Sequence, residues 1–313
     1  MSGLAKPHSV DDFVRQLQWY LDNGGLMVLD PATDLELTQP VSFTLRGGWA
    51  WPNGLSAYGA RFRWKTDGHW DRTMFTFKTD GGENQYFTLR GLAINGDQTG
   101  GAQASPLALV RIEARSGAAI RGAQIDDLCG QGCQTGLWIE GEVFESYINS
   151  PRLSWCRNAG IVLRQGYDIP GVLSNVYVTN PNITRCPANM GAAMGIFCDR
   201  ANSVLVSDGN FISLDGPAIK ASNGVKRVRH CDFENTGNVN GVAIEIDGTD
   251  FWSQVIACEG SNTQGNMPYL LWHGGDPEKL DCAGCRMYDG QIYAPSCPAH
   301  ESKGGHHGHR PRS

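Results

Sequence analysis

The N-terminal segment has the hydrophobic spacing of one amphipathic helix. Phe13, Leu17 and Leu21 recur at helical intervals after Ser9, a residue type that commonly caps a helix N-terminus. The sequence NGG at 23–25 then supplies a helix stop. The pattern therefore predicts a helix over residues 9–22.

After this helix the hydrophobic period changes to two. The segments GLMVLDP, PVSFTLRGG and ARFRWKT are predicted to be short strands separated by Gly, Pro or Asp turns. In YFTLRGLAINGD, residues 86–97, two such strands meet at Gly91. The alternation predicts a tight corner there, with four side chains in the core: Phe87, Leu89, Leu92 and Ile94.

From residue 86 onward, the strands recur in a loose repeat of roughly 22 to 30 residues, the range of stacked structural units. The units are 136–156, 160–186, 195–214, 218–236 and 242–258. Cys156, Cys186 and Leu214 align after the last strand of three units, as stacked buried residues would. A β-sandwich is the alternative, but it would show hairpin turns every 8 to 12 residues or so. The repeat favours an all-β parallel solenoid.

The N-terminal helix, the segment FTLRGG and the segment MFTFKTDGGENQYFTLRGLAINGD together resemble the entry of right-handed parallel β-helix proteins of the pectate-lyase-like superfamily. The resemblance covers about residues 9–295 and implies a single-stranded right-handed parallel β-helix capped by the helix. Residues 1–8 are then an N-terminal tail, and 296–313 a flexible His-rich C-terminal tail. The fold alone does not identify a reaction.

Strand alternation places two columns of side chains on one outward surface of the solenoid. The first predicted column is Trp138, Val162, Phe197, Lys220 and Ala243. The second is Glu140, Arg164, Asp199, Ser222 and Glu245, with Asp247 one step further. Two interpretations remain: a solvated face with cross-strand ion pairs, or a sugar-binding groove in which Trp138 and Phe197 are stacking platforms.

The resemblance implies candidate catalytic residues on this surface. In the lyases of the superfamily, Arg or Lys commonly removes the proton beside a uronate while carboxylates hold Ca²⁺. The candidates are Glu140, Arg164, Asp199, Lys220 and Glu245. Acids beside Lys220 or Arg164 would favour the charged form, which argues against either as a base.

The segment QIDDLCG resembles the Asp-Asp-Cys element of polygalacturonases, but the Asn-Thr-Asp, Gly-His-Gly and Arg-x-Lys elements are missing. The Asp-Pro-His-Glu element of alginate epimerases is missing too. Asp126 and Asp127 are therefore predicted to be turn residues. His230 stands where solenoids often carry a turn Asn, and it is predicted to be structural.

Three further residues are candidates for substrate binding. Trp49 and Trp51 lie in the loop GGWAWPNGLSAYG, and exposed tryptophans often mark binding surfaces. Packing onto the capping helix is the alternative. His273 follows Trp272 and is predicted either to reach a groove or to be an ordinary turn residue.

The C-terminal cysteines have metal-ligand spacing. Cys282 and Cys285 precede Cys297 and His300 in two knuckle-like pairs, a set that suits tetrahedral Zn²⁺. Disulfides and buried thiols are the alternatives for the ten cysteines of the chain.

Composition narrows the partners. The net charge of −6 makes nucleic acid a poor partner, and no apolar stretch is long enough to span a membrane. No signal peptide is recognisable, so the protein is expected either to be made in the cytoplasm or to have lost a leader. The expected location is secreted, cell-surface or on a phage particle. We expect a protein that binds and cleaves a polysaccharide, as a lyase or a glycoside hydrolase. The alternatives are a non-catalytic glycan-binding tail spike, which would be a homotrimer, and a structural repeat protein.

Overall fold

The computed structural model describes residues 4–46, 48, 52–65, 72–79, 81–96, 106–115, 117–165, 172–187, 193–222, 226–239, 241–247, 252–265 and 267–294. Within them, one α-helix precedes strands β1 to β30, and all strand pairings are parallel. No helix of the described residues is long and apolar enough to cross a membrane.

The helix α1, Val10–Asn23, closes one end of the stack. The Ser9 side chain accepts a hydrogen bond from the Asp12 amide at 3.1 Å, which caps the first turn. Its buried face packs onto the first strands, with the Phe13 ring 5.2 Å from that of Phe62. The helix therefore covers core side chains of the first coils, as the sequence predicts.

The strands stack into three faces, which we name A, B and C. Face A contains β1 (Leu26–Val28), β4 (Asn53–Ser56), β8 (Phe87–Arg90), β12 (Gln124–Asp126), β14 (Val143–Asn149), β16 (Leu173–Thr179), β19 (Asn202–Ser207), β22 (Lys226–Arg229), β25 (Ser253–Ile256) and β28 (Leu280–Ala283), flanked by β7 (Gly82–Gln85) and β11 (Ala118–Arg121). Face B contains β2 (Asp34–Leu37), β5 (Arg61–Trp64), β9 (Ala93–Asn95), the first parts of β13 (Cys129–Gly141) and β15 (Arg152–Arg164), β17 (Asn182–Cys186), β20 (Asn210–Leu214), β23 (Asp232–Glu234), β26 (Glu259–Ser261) and β29 (Arg286–Tyr288). Face C contains β3 (Val41–Leu45), β6 (Thr73–Thr79), β10 (Ala108–Ala114), the second parts of β13 and β15, β18 (Met194–Asp199), β21 (Ile219–Ser222), β24 (Val242–Asp247), β27 (Tyr269–His273) and β30 (Gln291–Tyr293). A single 3₁₀ turn, Pro277–Lys279, precedes β28.

Inward side chains of successive coils stack directly on one another. On face C, Leu137, Ile161, Ile196 and Ile219 are in register and fully or almost fully buried. Because neighbouring strands lie about 4.8 Å apart, such columns form a continuous apolar core along the solenoid axis. The predicted parallel solenoid is therefore confirmed, and its core is built from the residues of the sequence repeat.

The corner between faces A and B has two residues in each coil from β8 onward. The first residue of each corner has a positive φ, between 50° and 67°. These residues are Gly91, Asp127, Ser150, Asn180, Asp208, His230, Ala257 and Gly284. Asp127 and His230 are therefore corner residues, in agreement with their predicted turn roles.

The cysteines within the described residues are free thiols. Cys133 and Cys156 are buried in register, with their sulfur atoms 3.5 Å apart and unbonded. Cys186 and Leu214 continue the same alignment. Of the alternatives for these cysteines, buried thiols in a stack are observed, and burial raises the pKa of Cys198 to about 11.

Part of the predicted N-terminal tail lies against the first coil. Ala5 forms a parallel bridge with Leu29, and Lys6 Nζ lies 2.8 Å from Asp30 Oδ2. The ion pair raises the pKa of Lys6 and lowers that of Asp30. The C-terminal segment 296–313 is outside the described residues.

Candidate functional site

The outward surface of face C, which we call the charged face, carries two columns of side chains. Register places Arg111, Trp138, Val162, Phe197, Lys220, Glu245 and Trp272 in the first column. It places Lys78, Glu113, Glu140, Arg164, Asp199, Ser222 and Asp247 in the second. Both predicted columns are correct from Trp138 and Glu140 as far as Lys220 and Ser222.

One step of the predicted register is wrong. Glu245 is in register with Lys220 in the first column, and Asp247 follows Ser222 in the second. Ala243, predicted to face outward, is completely buried. The physical reason is that Ile244 and Ile246 fill the inward positions above Ile219 and Ala221, so the strand sits two residues further along than predicted.

Arg111 contacts two acids on the charged face, at the end nearer the N-terminal coils. One of its terminal nitrogens lies 2.9 Å from Glu140 Oε2, and its Nε lies 3.8 Å from Glu113 Oε2. The guanidinium carbon also stands 5.1 Å from the centre of the Trp138 ring. A second base, Arg115, has its Nε 2.9 Å from Glu113 Oε1. Both carboxylates are buried and Arg111 is half-buried, so this is a largely desolvated cluster of two acids, two bases and one indole.

The later coils of the charged face also pair acids with bases. Asp199 lies 3.5 Å from Arg164 Nε and accepts a hydrogen bond of 3.1 Å from the Ser222 hydroxyl. Lys220 Nζ lies 2.7 Å from Glu245 Oε1, and Glu245 is buried. All five predicted catalytic residues therefore lie on one surface, and they form cross-strand ion pairs.

The first column contains three aromatic side chains. Trp138, Phe197 and Trp272 are each half-buried, with part of the side chain accessible. Trp138 and Phe197 occupy the positions predicted for stacking platforms, and Trp272 extends the series towards the last coils. Flat apolar faces beside polar groups are suited to contact with sugar rings.

Other predicted site residues lie elsewhere. His273 is in register with the core residue Ile246, so it belongs to an inward column rather than to the charged face. Burial lowers the pKa of its imidazole. Trp49 and Trp51 lie outside the described residues. Asp126 and Asp127 lie on face A and at its corner, where Tyr58 donates a hydrogen bond of 2.8 Å to Asp127.

The predicted zinc ligands are only half described. Cys282 is in register with the core residue Val255, and the sulfur of Cys285 donates to the Val255 carbonyl oxygen at 3.4 Å. Cys297 and His300 lie outside the described residues, so the four-ligand site stays a prediction. Among the described residues, no group of three Asp, Glu, His or Cys side chains is arranged to hold a metal ion.

Sequence reasoning missed Arg111 and Glu113. The signal was present, because the segment LVRIEA alternates in the same way as the later repeats, with Val110 and Ile112 inward. The predicted columns began one coil too late, at Trp138. The cluster around Arg111 consequently combines two predicted site residues, Glu140 and Trp138, with three that were not predicted: Arg111, Glu113 and Arg115.

Sequence comparison matches the chain to no family model and to no curated protein. Solved structures do resemble it. An alginate lyase from Paenibacillus sp. str. FPU-7 superposes with a TM-score of 0.51 at 16% identity, covering 90% of this chain and 95% of that one. An endo-xylogalacturonan hydrolase from Aspergillus tubingensis gives 0.45 at 11% identity, covering 94% of each chain. The A-module of the mannuronan C-5 epimerase AlgE4 from Azotobacter vinelandii gives 0.41 at 11% identity, covering 95% of this chain and 97% of that one.

These identities are low, so the similarity concerns the fold and not the reaction. The superposition on the alginate lyase, together with the stacked parallel faces, confirms the predicted architecture. The chain has the right-handed parallel β-helix fold, with a helix covering one end of its core.

Proposed function

We propose that this protein binds a polysaccharide along the charged face and cleaves it there, by β-elimination or by hydrolysis. The observation that carries the proposal is the combination, on one outward surface, of accessible aromatic rings with desolvated carboxylates and bases. The similar alginate lyase acts on a polysaccharide, which is compatible with this use of the fold.

The length of the surface favours a polymer over a small molecule. Trp138 and Trp272 are separated by five coil steps in the first column. At about 4.8 Å per step, the two indoles are roughly 24 Å apart along the axis. A linear glycan lying along the column would contact both rings and the charged residues between them.

The cluster around Arg111 supplies the most suitable acids. Glu113 and Glu140 are in register on neighbouring strands, so their backbones are separated by about 4.8 Å. Retaining glycosidases use two carboxyl groups about 5 to 5.5 Å apart. Arg111 contacts both carboxylates, and in an elimination it could instead neutralise a uronate of the substrate.

One observation favours the alternative of a non-catalytic glycan-binding surface. Glu140, Asp199 and Glu245 each lie within 3.5 Å of a basic nitrogen. A carboxylate held by a protein base in this way is not free to exchange a proton with a substrate. Cleavage therefore requires that the bound glycan displace at least one of these bases.

The test is incubation with a panel of acidic and neutral polysaccharides. A lyase produces both new reducing ends and unsaturated uronides that absorb in the ultraviolet, and a hydrolase produces reducing ends alone. A binding protein produces neither, yet is retained on an immobilised polysaccharide. Glu140→Gln should slow cleavage by about 100-fold or more. Glu234→Gln, which changes an exposed acid on face B, is the matched control. Absence of both binding and cleavage across the panel refutes the proposal.

The same proposal predicts where the protein acts. A glycan partner is met outside the cell, so we propose a secreted, cell-surface or phage-particle location. A homotrimer is the assembly expected for the tail-spike alternative, and sedimentation analysis would measure it.

A further inference from the structure

A second surface of the solenoid carries a cavity that the proposed function does not use. It has a volume of about 550 Å³ and lies on the outward side of face B, across strands β5, β9, β13, β15 and β17. This size is within the range of small-molecule sites. We call it the arginine groove, for the three basic residues that line it: Arg61, Arg63 and Arg152.

The groove arises from small side chains on two successive coils. Arg61, Ala93, Cys129 and Arg152 are in register, one per coil. Ala93 and Cys129 leave the middle of this column low, while the two arginines stand on either side of it. Three coil steps separate these arginines, which is roughly 14 Å along the axis. A depression with a cationic group at each end is the result.

The charge of the groove differs from that of the charged face. Its lining residues include no carboxylate. Arg63 pairs with Asp34 at 3.0 Å, but Arg61 and Arg152 form no ion pair within the part of the chain that the structure describes. Both of these arginines are exposed. An arginine fork without a protein acid is available to bind an anionic oxygen group of a ligand.

Besides apolar residues such as Phe62, Ile94 and Leu153, the groove has a polar, uncharged part. Asn95, Gln131, Ser154 and Thr184 form a second column beside the first, and Gln131 donates to Asn95 at 3.3 Å. Amide and hydroxyl groups both donate and accept, as recognition of sugar hydroxyls requires. Trp155 follows Ser154 in the chain with a φ of 55°, and its side chain is exposed.

We infer that the arginine groove is a binding site for an acidic saccharide, separate from the cleavage site. The carboxylate, sulfate or phosphate groups of the saccharide would be held by Arg61 and Arg152, with its hydroxyls on the amide and hydroxyl column. This inference does not rest on the proposed function, because the groove and the charged face use different strands and different residues.

The test measures the affinity of trigalacturonate and of its methyl ester by calorimetry. These probes share one backbone and differ in charge. The acid should bind at least tenfold more tightly than the ester, and its affinity should fall with added salt. Arg61→Gln and Arg152→Gln should each weaken acid binding about tenfold, as expected for loss of one charge-assisted hydrogen bond. Arg227→Gln, an exposed strand arginine on face A, should leave the affinity unchanged.

The arms of the experiment separate this site from the charged face. Binding should survive in Glu140→Gln, and Arg61→Gln/Arg152→Gln should still cleave any polysaccharide that the native protein cleaves. Loss of trigalacturonate binding in Glu140→Gln, with no loss in the double arginine variant, would overturn the inference. The inference would also be overturned if trigalacturonate did not bind, or bound no more tightly than its methyl ester. Full displacement of trigalacturonate by an equal concentration of inorganic sulfate, or tighter binding of a single-stranded oligonucleotide, would overturn it too. Circular dichroism checks that each variant is folded.

Discussion

The charged face and the arginine groove are built from the same coils but treat their charges in opposite ways. On the charged face, acids form ion pairs with bases of neighbouring coils, and Glu140 and Glu245 are buried against Arg111 and Lys220. In the groove, Arg61 and Arg152 are exposed at either end of a column of small residues. Paired charges stabilise the stack or must be displaced before they react, whereas unpaired exposed charges are available to a ligand at little cost.

Glu140→Gln should have the largest effect that separates the two surfaces. If Glu140 takes part in cleavage, its loss should reduce the rate by about 100-fold or more, the usual contribution of a general acid or base. Release of reducing ends, measured beside Glu234→Gln, checks this. An undiminished rate would show that the Arg111 cluster is structural.

Lys226→Met measures how much a buried base lowers the free energy of unfolding. Lys226 lies in the core, unlike the bases of the charged face and of the arginine groove. Lys226 is in the inward column between Val204 and Ser253, and its Nζ donates to the Ala201 carbonyl oxygen. Burial lowers its pKa from 10.5 to about 8. The unfolded chain therefore binds more protons between these values, and stability should rise as the pH increases from 8 to 10.5.

Below pH 8 the folded protein carries the full cost of a charged buried lysine, about 3 kcal/mol. Lys226→Met should therefore raise the free energy of unfolding by about this amount at pH 7 and by much less near pH 11. Urea denaturation at the two pH values measures the difference. Lys65→Met, an exposed control, should show no such dependence.

Lys220→Met should show that the bases of the charged face stabilise the fold. It removes the ammonium 2.7 Å from buried Glu245. The expected loss is about 2 kcal/mol, less than for a fully buried pair because Lys220 is partly exposed. Arg61→Gln in the groove should change the unfolding free energy by less than about 0.5 kcal/mol. Equal losses in the two variants would remove the distinction between the surfaces.

Trp138→Ala should have the smallest of these effects. Loss of one stacking platform should weaken polysaccharide binding about tenfold, since ring contacts of this kind contribute on the order of 1 kcal/mol. Affinity electrophoresis on immobilised polysaccharide measures it. Trp19→Ala, which removes an exposed indole from the capping helix α1, is the matched control and should bind normally.

The fold could be predicted from sequence because the core columns consist of apolar residues that recur in each repeat. Leu137, Ile161 and Ile196 each follow a glycine at the same position of the repeat, so the register between their coils was readable. The step to β24 was not, because Val242, Ala243 and Ile244 are consecutive small or apolar residues. Val242 and Ile244 have the same alternation and either could lie inward beside Ile219, so only the packing of Ile244 against Ile219 fixes the two-residue shift.

The site could be predicted only in part. Alternation identified which side chains share the charged face, but the pairing of Lys220 with Glu245 depends on the correct register. The arginine groove was not predicted, because Ala93 and Cys129 have no chemical signature of their own. These two small residues matter because they leave a depression between Arg61 and Arg152. The depression becomes visible only when the four coils are aligned in space.

The two-residue corner between faces A and B has a consequence for how such a chain can diversify. Since this corner keeps its length in every coil from β8 onward, extra residues enter a coil at the other two corners. Those corners border faces B and C, which carry both candidate surfaces. Insertions there can lengthen the walls of either surface and leave the stacking of the coils intact. The constant corner between faces A and B thus keeps the coils in register, while loops exchanged at the other two corners can change which ligand is bound.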